Sequence, residues 1–137
     1  MIEFHSLTKF NLNDESALAK WIEFSIHQEN KVLGELNYIF CDDHYLVDKN
    51  IKYLKHNTLT DIISFDYSID NIISGDVFIS VERVIENAKD LNIVFTDELH
   101  RVMIHGVMHY CGYSDKLKKE LKLMRSKEDY YLSLRTF

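Results

Sequence analysis

The spacing of hydrophobic residues changes along the chain and predicts both strands and helices. Alternating apolar positions predict strands at about residues 2–5, 36–40, 60–67 and 75–80, with the last two paired as a hairpin. Helical spacing predicts five helices, at about residues 14–30, 42–54, 81–91, 97–111 and 116–134. Asp14 is the expected N-cap of the first helix. The mixture predicts a single α+β domain over residues 1–137.

The composition is typical of a globular protein. The 137 residues are 46% hydrophobic and 28% charged, which excludes a disordered or fibrous chain. No run of 18 apolar residues occurs and the first residues lack a signal-peptide pattern, so we expect a cytoplasmic protein. Cys41 and Cys111 do not have the spacing of a disulfide framework and are expected to be reduced.

Charge is divided unevenly between the two parts of the chain. Residues 1–100 contain 8 Lys or Arg against 18 Asp or Glu, whereas residues 101–137 contain 8 against 4. The last quarter is therefore a basic element on an acidic body. A solvated helix face explains many such runs, and contact with nucleic-acid phosphates is the alternative.

Two histidines on one buried helix form the main chemical signal. The predicted helix at 97–111 is apolar almost all round, which indicates burial. His105 and His109 lie about 40° apart around its axis, so their side chains can converge. Buried imidazoles need polar partners, and a shared metal ion would serve both. With seven histidines in the chain, such a pair also arises by chance, so its context must decide.

The residues after this helix supply a third candidate ligand. Gly112 is expected to end the helix and turn the chain, which can bring Asp115 toward the two histidines. Two histidines, one carboxylate and an open position form a catalytic zinc set, but Asp115 could equally cap the last helix. Cys111 and His100 lie on other sides of the helix. Gly106 stands where a metallopeptidase of this spacing needs a glutamate base, which disfavours a peptidase.

The segment IHGVMHYCGYSD resembles the metal-binding signature of the YbeY family, bacterial endoribonucleases that mature ribosomal RNA. That signature reads His-Gly-x-x-His-x-x-Gly-Tyr followed by Asp-His. The upstream segments LTDIISF and GDVFIS are similar to the family's Thr-Asp/Asn-x-x-Ser-Phe strand and to the strand that follows it. The matching residues are Thr60, Asp61, Ser64, Phe65, Gly75, Asp76, His105, Gly106, His109, Gly112 and Tyr113.

The resemblance implies a fold, a cofactor and a function. The expected fold is α+β, with a small mixed sheet of about four strands covered by helices and a metal site on the helix that carries His105 and on the glycine corner after it. The implied cofactor is one Zn²⁺ held by His105, His109 and Asp115. The implied function is a metal-dependent endoribonuclease acting on single-stranded RNA in 16S rRNA 3′-end maturation and ribosome quality control, with the small ribosomal subunit as partner. A metal-bound water would make the attack.

Four residues are candidates for binding the substrate. Asp61 and Ser64 belong to the strand that is similar to the family's. Lys118 and Lys119 belong to the basic C-terminal element. We expect the two lysines to contact RNA phosphates in a salt-sensitive way.

Two positions depart from the family pattern. Asp115 stands where the family has its third histidine, and a carboxylate makes the bound water less acidic and leaves the identity of the metal open. Leu54 stands where many relatives carry an arginine that is thought to serve the RNA phosphates. Lys55 and His56 beside it are candidates to replace that charge or to act in catalysis, or they form a solvated helix end.

Two other functions stay open at this stage. A non-enzymatic ribosome-assembly factor would use the metal only to fix the helix corner. A hydrolase of a small metabolite would use the same metal chemistry on another ester or amide. The open coordination position favours the nuclease over the assembly factor.

Overall fold

A four-stranded mixed sheet forms the centre of the molecule. The computed structural model describes residues 1–54 and 60–137, with only the backbone of Leu54, so the catalytic candidates Lys55 and His56 lie outside the described residues. The strand order is β1, β2, β4, β3, with β1 and β4 parallel to β2, and β3 antiparallel to β4. The strands are β1 (Ile2–Ser6), β2 (Val32–Cys41), β3 (Ile62–Asp66) and β4 (Ile72–Ser80). The α+β fold, the number of strands and the predicted hairpin are confirmed.

The helices follow the predicted order, with small changes at their ends. They are α1 (Glu15–Gln28), α2 (Asp43–Lys49), α3 (Val81–Leu91), α4 (Phe95–Tyr110) and α5 (Lys118–Ser133). A π-helical turn, Asn50–Leu54, continues α2, where one regular helix was expected. Within the described ranges, no helix is long and apolar enough to span a bilayer.

Two of the predicted helix starts differ from the structure in detail. Asp14 occupies the N-cap position of α1, but its φ of 61° is left-handed and its side chain makes no capping hydrogen bond. The last helix begins at Lys118, two residues later than expected, because Leu117 takes the N-cap position and its N–H donates to Glu120 Oε1 at 2.8 Å. The chain between Gly112 and Lys118 is therefore a longer corner than the sequence suggested.

The sheet has a large core on one face and a small one on the other. On the larger face, α1 and α4 pack against β2 and β4, and the Tyr38 hydroxyl donates to the Met103 carbonyl at 2.9 Å. The small core lies under α2, between Leu46, Ile63 and Phe78. Helix α4 is thus buried as predicted, and its C-terminal half lies over β3 and β4. Fully buried side chains of the larger core include Leu18, Ile22, Leu36, Tyr38, Phe40, Ile79, Met103 and Ile104.

The contact between α4 and the hairpin requires a residue without a side chain on β4. A Cβ on Gly75 would lie 2.5 Å from the Phe65 carbonyl oxygen and 2.6 Å from the Tyr110 hydroxyl. The same hydroxyl lies 3.1 Å from the carbonyl oxygens of both Phe65 and Asp76. Tyr110 therefore ties the end of α4 to both strands of the hairpin.

We predict that Gly75→Ala lowers the free energy of unfolding by about 2 kcal/mol, because the added methyl group must displace Tyr110 or β3 from a packed interface. Urea denaturation of the two proteins measures this difference. Ile72→Val is the matched control, since Ile72 begins the same strand and is 49% exposed. The control should stay within about 0.5 kcal/mol of wild type. Equal stability of Gly75→Ala and wild type would contradict the packing argument.

Candidate metal centre

Three side chains converge where α4 ends. His105 Nε2 and His109 Nε2 lie 2.9 Å apart, and Asp115 Oδ2 lies 3.3 Å from each of them. The three side chains are 19%, 31% and 35% exposed, so the cluster is sheltered but open on one side. In the part of the chain that the structure describes, no other group of three His, Cys, Asp or Glu brings its ligand atoms this close.

The local sequence explains how Asp115 reaches the histidines. The N–H of Tyr113 donates to the Met108 carbonyl and the N–H of Gly112 to the His109 carbonyl, both at 3.0 Å, which is the Schellman ending of a helix. Gly112 has φ 104°, a value that favours glycine. The chain then turns back over the last turn of α4. Because α5 starts only at Lys118, Asp115 does not cap it, and the capping alternative is wrong.

Both imidazoles are held through their second nitrogen. His105 Nδ1 lies 2.7 Å from Glu128 Oε2, and His109 Nδ1 lies 3.0 Å from the Tyr113 carbonyl oxygen. A carbonyl oxygen only accepts, so His109 Nδ1 carries the proton and its Nε2 presents a lone pair to the cluster. The carboxylate of Glu128 favours the same arrangement in His105. Two nitrogen lone pairs and a carboxylate oxygen therefore point at one place.

This donor set fits a divalent metal ion. Three electron-rich atoms so close together repel one another unless a cation lies between them. Tetrahedral zinc, with ligands about 2.0–2.1 Å away, sets its ligand atoms about 3.4 Å apart, near the observed 2.9 and 3.3 Å. The histidines also have the partner on the second nitrogen that metal-bound imidazoles commonly have. His105, His109 and Asp115 can thus hold a metal and leave a position free for water.

Glu128 of α5 contacts one of the candidate ligands, and the sequence did not single it out. Its side chain is fully buried, and its Oε1 accepts from Arg101 at 3.1 Å and from Arg125 at 2.8 Å while Oε2 accepts from His105. Burial alone would raise the pKa of Glu128, but His105 and the two arginines lower it below its usual value. Burial would likewise lower the pKa of His105, but Glu128 raises it. This carboxylate is therefore ionised and fixes the orientation of His105.

Known proteins are similar to this chain in sequence and in fold. A family model described as "Endoribonuclease YbeY" matches residues 3–135. The chain belongs to the YbeY family. The Endoribonuclease YbeY of Flavobacterium johnsoniae is 55% identical over 134 residues, which cover 98% of this chain and 96% of the relative. That of Karelsulcia muelleri is 48% identical over 132 residues, covering 96% and 94%.

A solved structure supports the fold. The solution structure of a protein from Thermotoga maritima matches with a TM-score of 0.69 at 23% identity, and the match covers 97% of this chain and 87% of that one. The resemblance to the YbeY family found in the motifs is thus confirmed over nearly the whole chain.

The glycine corner of this YbeY-family chain is also anchored to α1. The Tyr113 hydroxyl donates to Glu29 Oε1 at 2.6 Å, Lys127 Nζ lies 3.2 Å from Oε2, and the Tyr131 hydroxyl also donates to Oε2. Burial alone would raise the pKa of Glu29, but these three donors hold it below its usual value. Since the Tyr113 carbonyl orients His109, Glu29 fixes the position of the segment that carries this contact.

Of the two substrate-binding candidates from the predicted strand, one lies near the candidate metal ligands. Asp61 precedes β3, and burial raises its pKa while the charge of His105 partly offsets that rise. Ser64 lies farther along β3, on the face toward α4, where its hydroxyl partly offsets the rise that burial causes in the pKa of Tyr110. Asp61 is therefore within electrostatic range of the ligand set, whereas Ser64 contacts the residue that follows His109.

The basic candidates lie on one exposed surface of α5. Lys118 and Lys119 are exposed and form one concave surface with Leu121, Lys122 and Arg125. Arg125 connects this surface to the metal ligands, because its guanidinium binds Glu128 and remains 55% exposed.

The two residues rejected as ligands lie outside the cluster. His100 accepts from Arg135 at 2.7 Å in contact with Trp21, and burial lowers its pKa to about 4. Burial raises the pKa of Cys111 to about 12, which disfavours the thiolate that a metal requires.

We predict that Glu128→Gln lowers metal affinity 10- to 100-fold, the usual cost of losing a group that orients a metal-bound histidine. Competition between the protein and a chelator for Zn²⁺ or Co²⁺ measures the affinity. Asp129→Asn is the matched control, because Asp129 also binds Arg101, at 2.9 Å, but is 66% exposed and touches no ligand. If the two variants bound metal equally well, Glu128 would have no role in the site.

Proposed function

We propose that this chain is a metal-dependent endoribonuclease that cleaves single-stranded RNA, with zinc held by His105, His109 and Asp115. We further propose that it acts in the cytoplasm on the small ribosomal subunit, in 16S rRNA 3′-end maturation and ribosome quality control. The convergence of three ligand atoms beside an open position carries the proposal of a metal-dependent hydrolase. Membership of the YbeY family supports RNA as the substrate. The ribosomal role rests on the family resemblance alone.

The residues of this chain prepare the site for hydrolysis. When bound, the metal supplies a polarised water and charge stabilisation for the phosphodiester. Glu128 keeps the proton of His105 on Nδ1, and the Tyr113 carbonyl does the same for His109, so both Nε2 atoms remain available. The carboxylate of Asp115 gives the ligand set one negative charge. The same donor set also suits Fe²⁺, so metal analysis has to measure both elements.

The surroundings of the site provide contacts for a polyanion. Arg125 lies between the metal ligands and the basic surface of α5, so it is placed to bind a phosphate next to the scissile bond. Lys118 and Lys119 extend this positive charge along the first turn of the helix. On the other side, Asp61 can accept from a ribose 2′-hydroxyl and Ser64 can donate to a phosphate oxygen. These five residues are the proposed substrate contacts.

We predict that wild-type protein contains about one equivalent of zinc or of another transition metal, and that Asp115→Ala loses both the metal and RNA cleavage while remaining folded. Asp115 is partly exposed and caps no helix, so its truncation should cost little stability. Elemental analysis and a cleavage assay on unstructured RNA measure the two losses. Asp129→Asn again serves as the matched control and should keep both.

The outcomes of this experiment separate the candidate functions. Metal retained by Asp115→Ala would remove Asp115 from the ligand set. Metal without cleavage in the wild type, together with unfolding of His109→Ala, would favour an assembly factor with a structural metal. Cleavage that is unaffected by removal of the metal would contradict the proposed mechanism.

We predict that replacing Lys118 and Lys119 together by Glu weakens RNA binding and flattens its dependence on salt. Two lost phosphate contacts should lower the slope of log affinity against log salt by about 1.4 for a single strand. Fluorescence anisotropy between low and high salt measures the slope. The control replaces Lys9 and Lys20 by Glu. These two lysines are exposed and distant from α5 in the sequence, and their replacement changes the net charge by the same amount. If the slope of log affinity against log salt were equal for both variants, the α5 surface would be a solvated face that does not contact RNA.

A further inference from the structure

The face of the sheet opposite α4 has an aromatic cavity that the proposed mechanism does not use. It has a volume of about 290 Å³ and opens at the β3 edge of the sheet. Its lining comes from the end of α2, the π-helical turn and the hairpin. The lining residues are Lys49, Tyr53, Phe65, Tyr67, Asp76 and Phe78.

Three of the rings that line this cavity lie around the ammonium group of Lys49. Phe78 is 8% exposed and forms the base, and Phe65 meets it edge-on with ring centroids 5.9 Å apart. Tyr53 meets Phe65 in the same way at 5.8 Å. Tyr53 and Tyr67 are 53% and 59% exposed, so part of each ring is accessible from solvent. Such a cleft suits a flat aromatic ligand, which gains stacking energy on exposed rings.

Charged groups at the cavity complement a nucleotide. Lys49 Nζ lies 4.4 Å from the centre of the Phe78 ring and 4.8 Å from that of Tyr53. Lys52 Nζ also lies over the Tyr53 ring, 5.3 Å from its centre. Asp76 Oδ1 accepts from Asn37 at 3.1 Å, which holds this carboxylate in place as an acceptor. Lysines bind phosphates, and a fixed carboxylate accepts from the N–H groups of a base edge.

The cavity is joined to the metal helix by direct contacts. Phe65 and Asp76, which line the cavity, have their carbonyl oxygens 3.1 Å from the hydroxyl of Tyr110, the residue after His109. Ser64, a proposed substrate contact, precedes Phe65 on the edge strand and faces the other side of the sheet. A single strand that crosses the edge at β3 would therefore meet the metal site on one face and the cavity on the other.

We propose that this cavity is a nucleobase subsite that binds one unpaired base of the RNA, several nucleotides from the scissile bond. The base would stack on Tyr53 and Tyr67, with its N–H groups toward Asp76 and its phosphate near Lys49. This inference rests on the proposed function, because it takes single-stranded RNA as the ligand. It adds a second contact region that selects single strands, since a paired base cannot enter.

Kinetics of the metal-loaded full chain with a short unstructured RNA test the subsite. The double variant Tyr53→Leu and Tyr67→Leu should raise KM about fivefold to tenfold or more, as expected for lost stacking, with kcat and metal content unchanged. Phe24→Leu is the matched control, because Phe24 is a 44% exposed aromatic residue on α1 and should leave KM unchanged. Circular dichroism checks that each variant is folded.

A series of RNAs with one abasic position completes the test. For wild type, one position should show a rise in KM similar to that of the double variant, and in the double variant the same abasic substitution should have no further effect. An unchanged KM in the double variant, or additive effects at every position, would overturn the subsite while the proposed nuclease stands. Failure of the wild type to bind or cleave any of these RNAs would overturn both.

Discussion

The structure around the metal ligands depends on one buried carboxylate. Glu128 has no contact with water, and it is stable as an anion only because His105, Arg101 and Arg125 surround it. The contact joins α5 to α4 and sets the angle of one imidazole. Arg125, one of its partners, remains 55% exposed beside the site. A single interaction thus sets the geometry of the site and holds one exposed guanidinium group beside it.

The convergence of the three candidate ligands could be predicted from sequence because it is local. His105 and His109 are one helical turn apart. Gly112 indicates that the helix ends and the chain turns, which brings Asp115 close to the two histidines. The element order and the hairpin also followed from periodicity. Asp14 was correctly predicted at the N-cap position, but its left-handed backbone, which its residue type alone does not reveal, leaves its side chain without a capping hydrogen bond.

Glu128 could not be found in the same way, since its partners come from another helix. Only the packing of α5 on α4 shows that the carboxylate meets His105. A signal did exist: Met124, Glu128 and Tyr131 share one side of α5, and all three are buried. A charged residue at helical spacing among apolar ones indicates a buried ion pair. The sheet order and the aromatic cavity behind β3 likewise depend on tertiary contacts that periodicity does not contain.

The short chain segment that supplies the ligands has a thermodynamic consequence. All three ligand atoms come from residues 105–115, so a bound ion closes a loop of only eleven residues. Closing so small a loop removes little entropy from the unfolded chain, and the ion does not link distant parts of the sheet. The free energy of metal binding is therefore concentrated in the α4–α5 corner. Metal release would loosen that corner locally, and the core under α1 would keep the rest of the molecule folded.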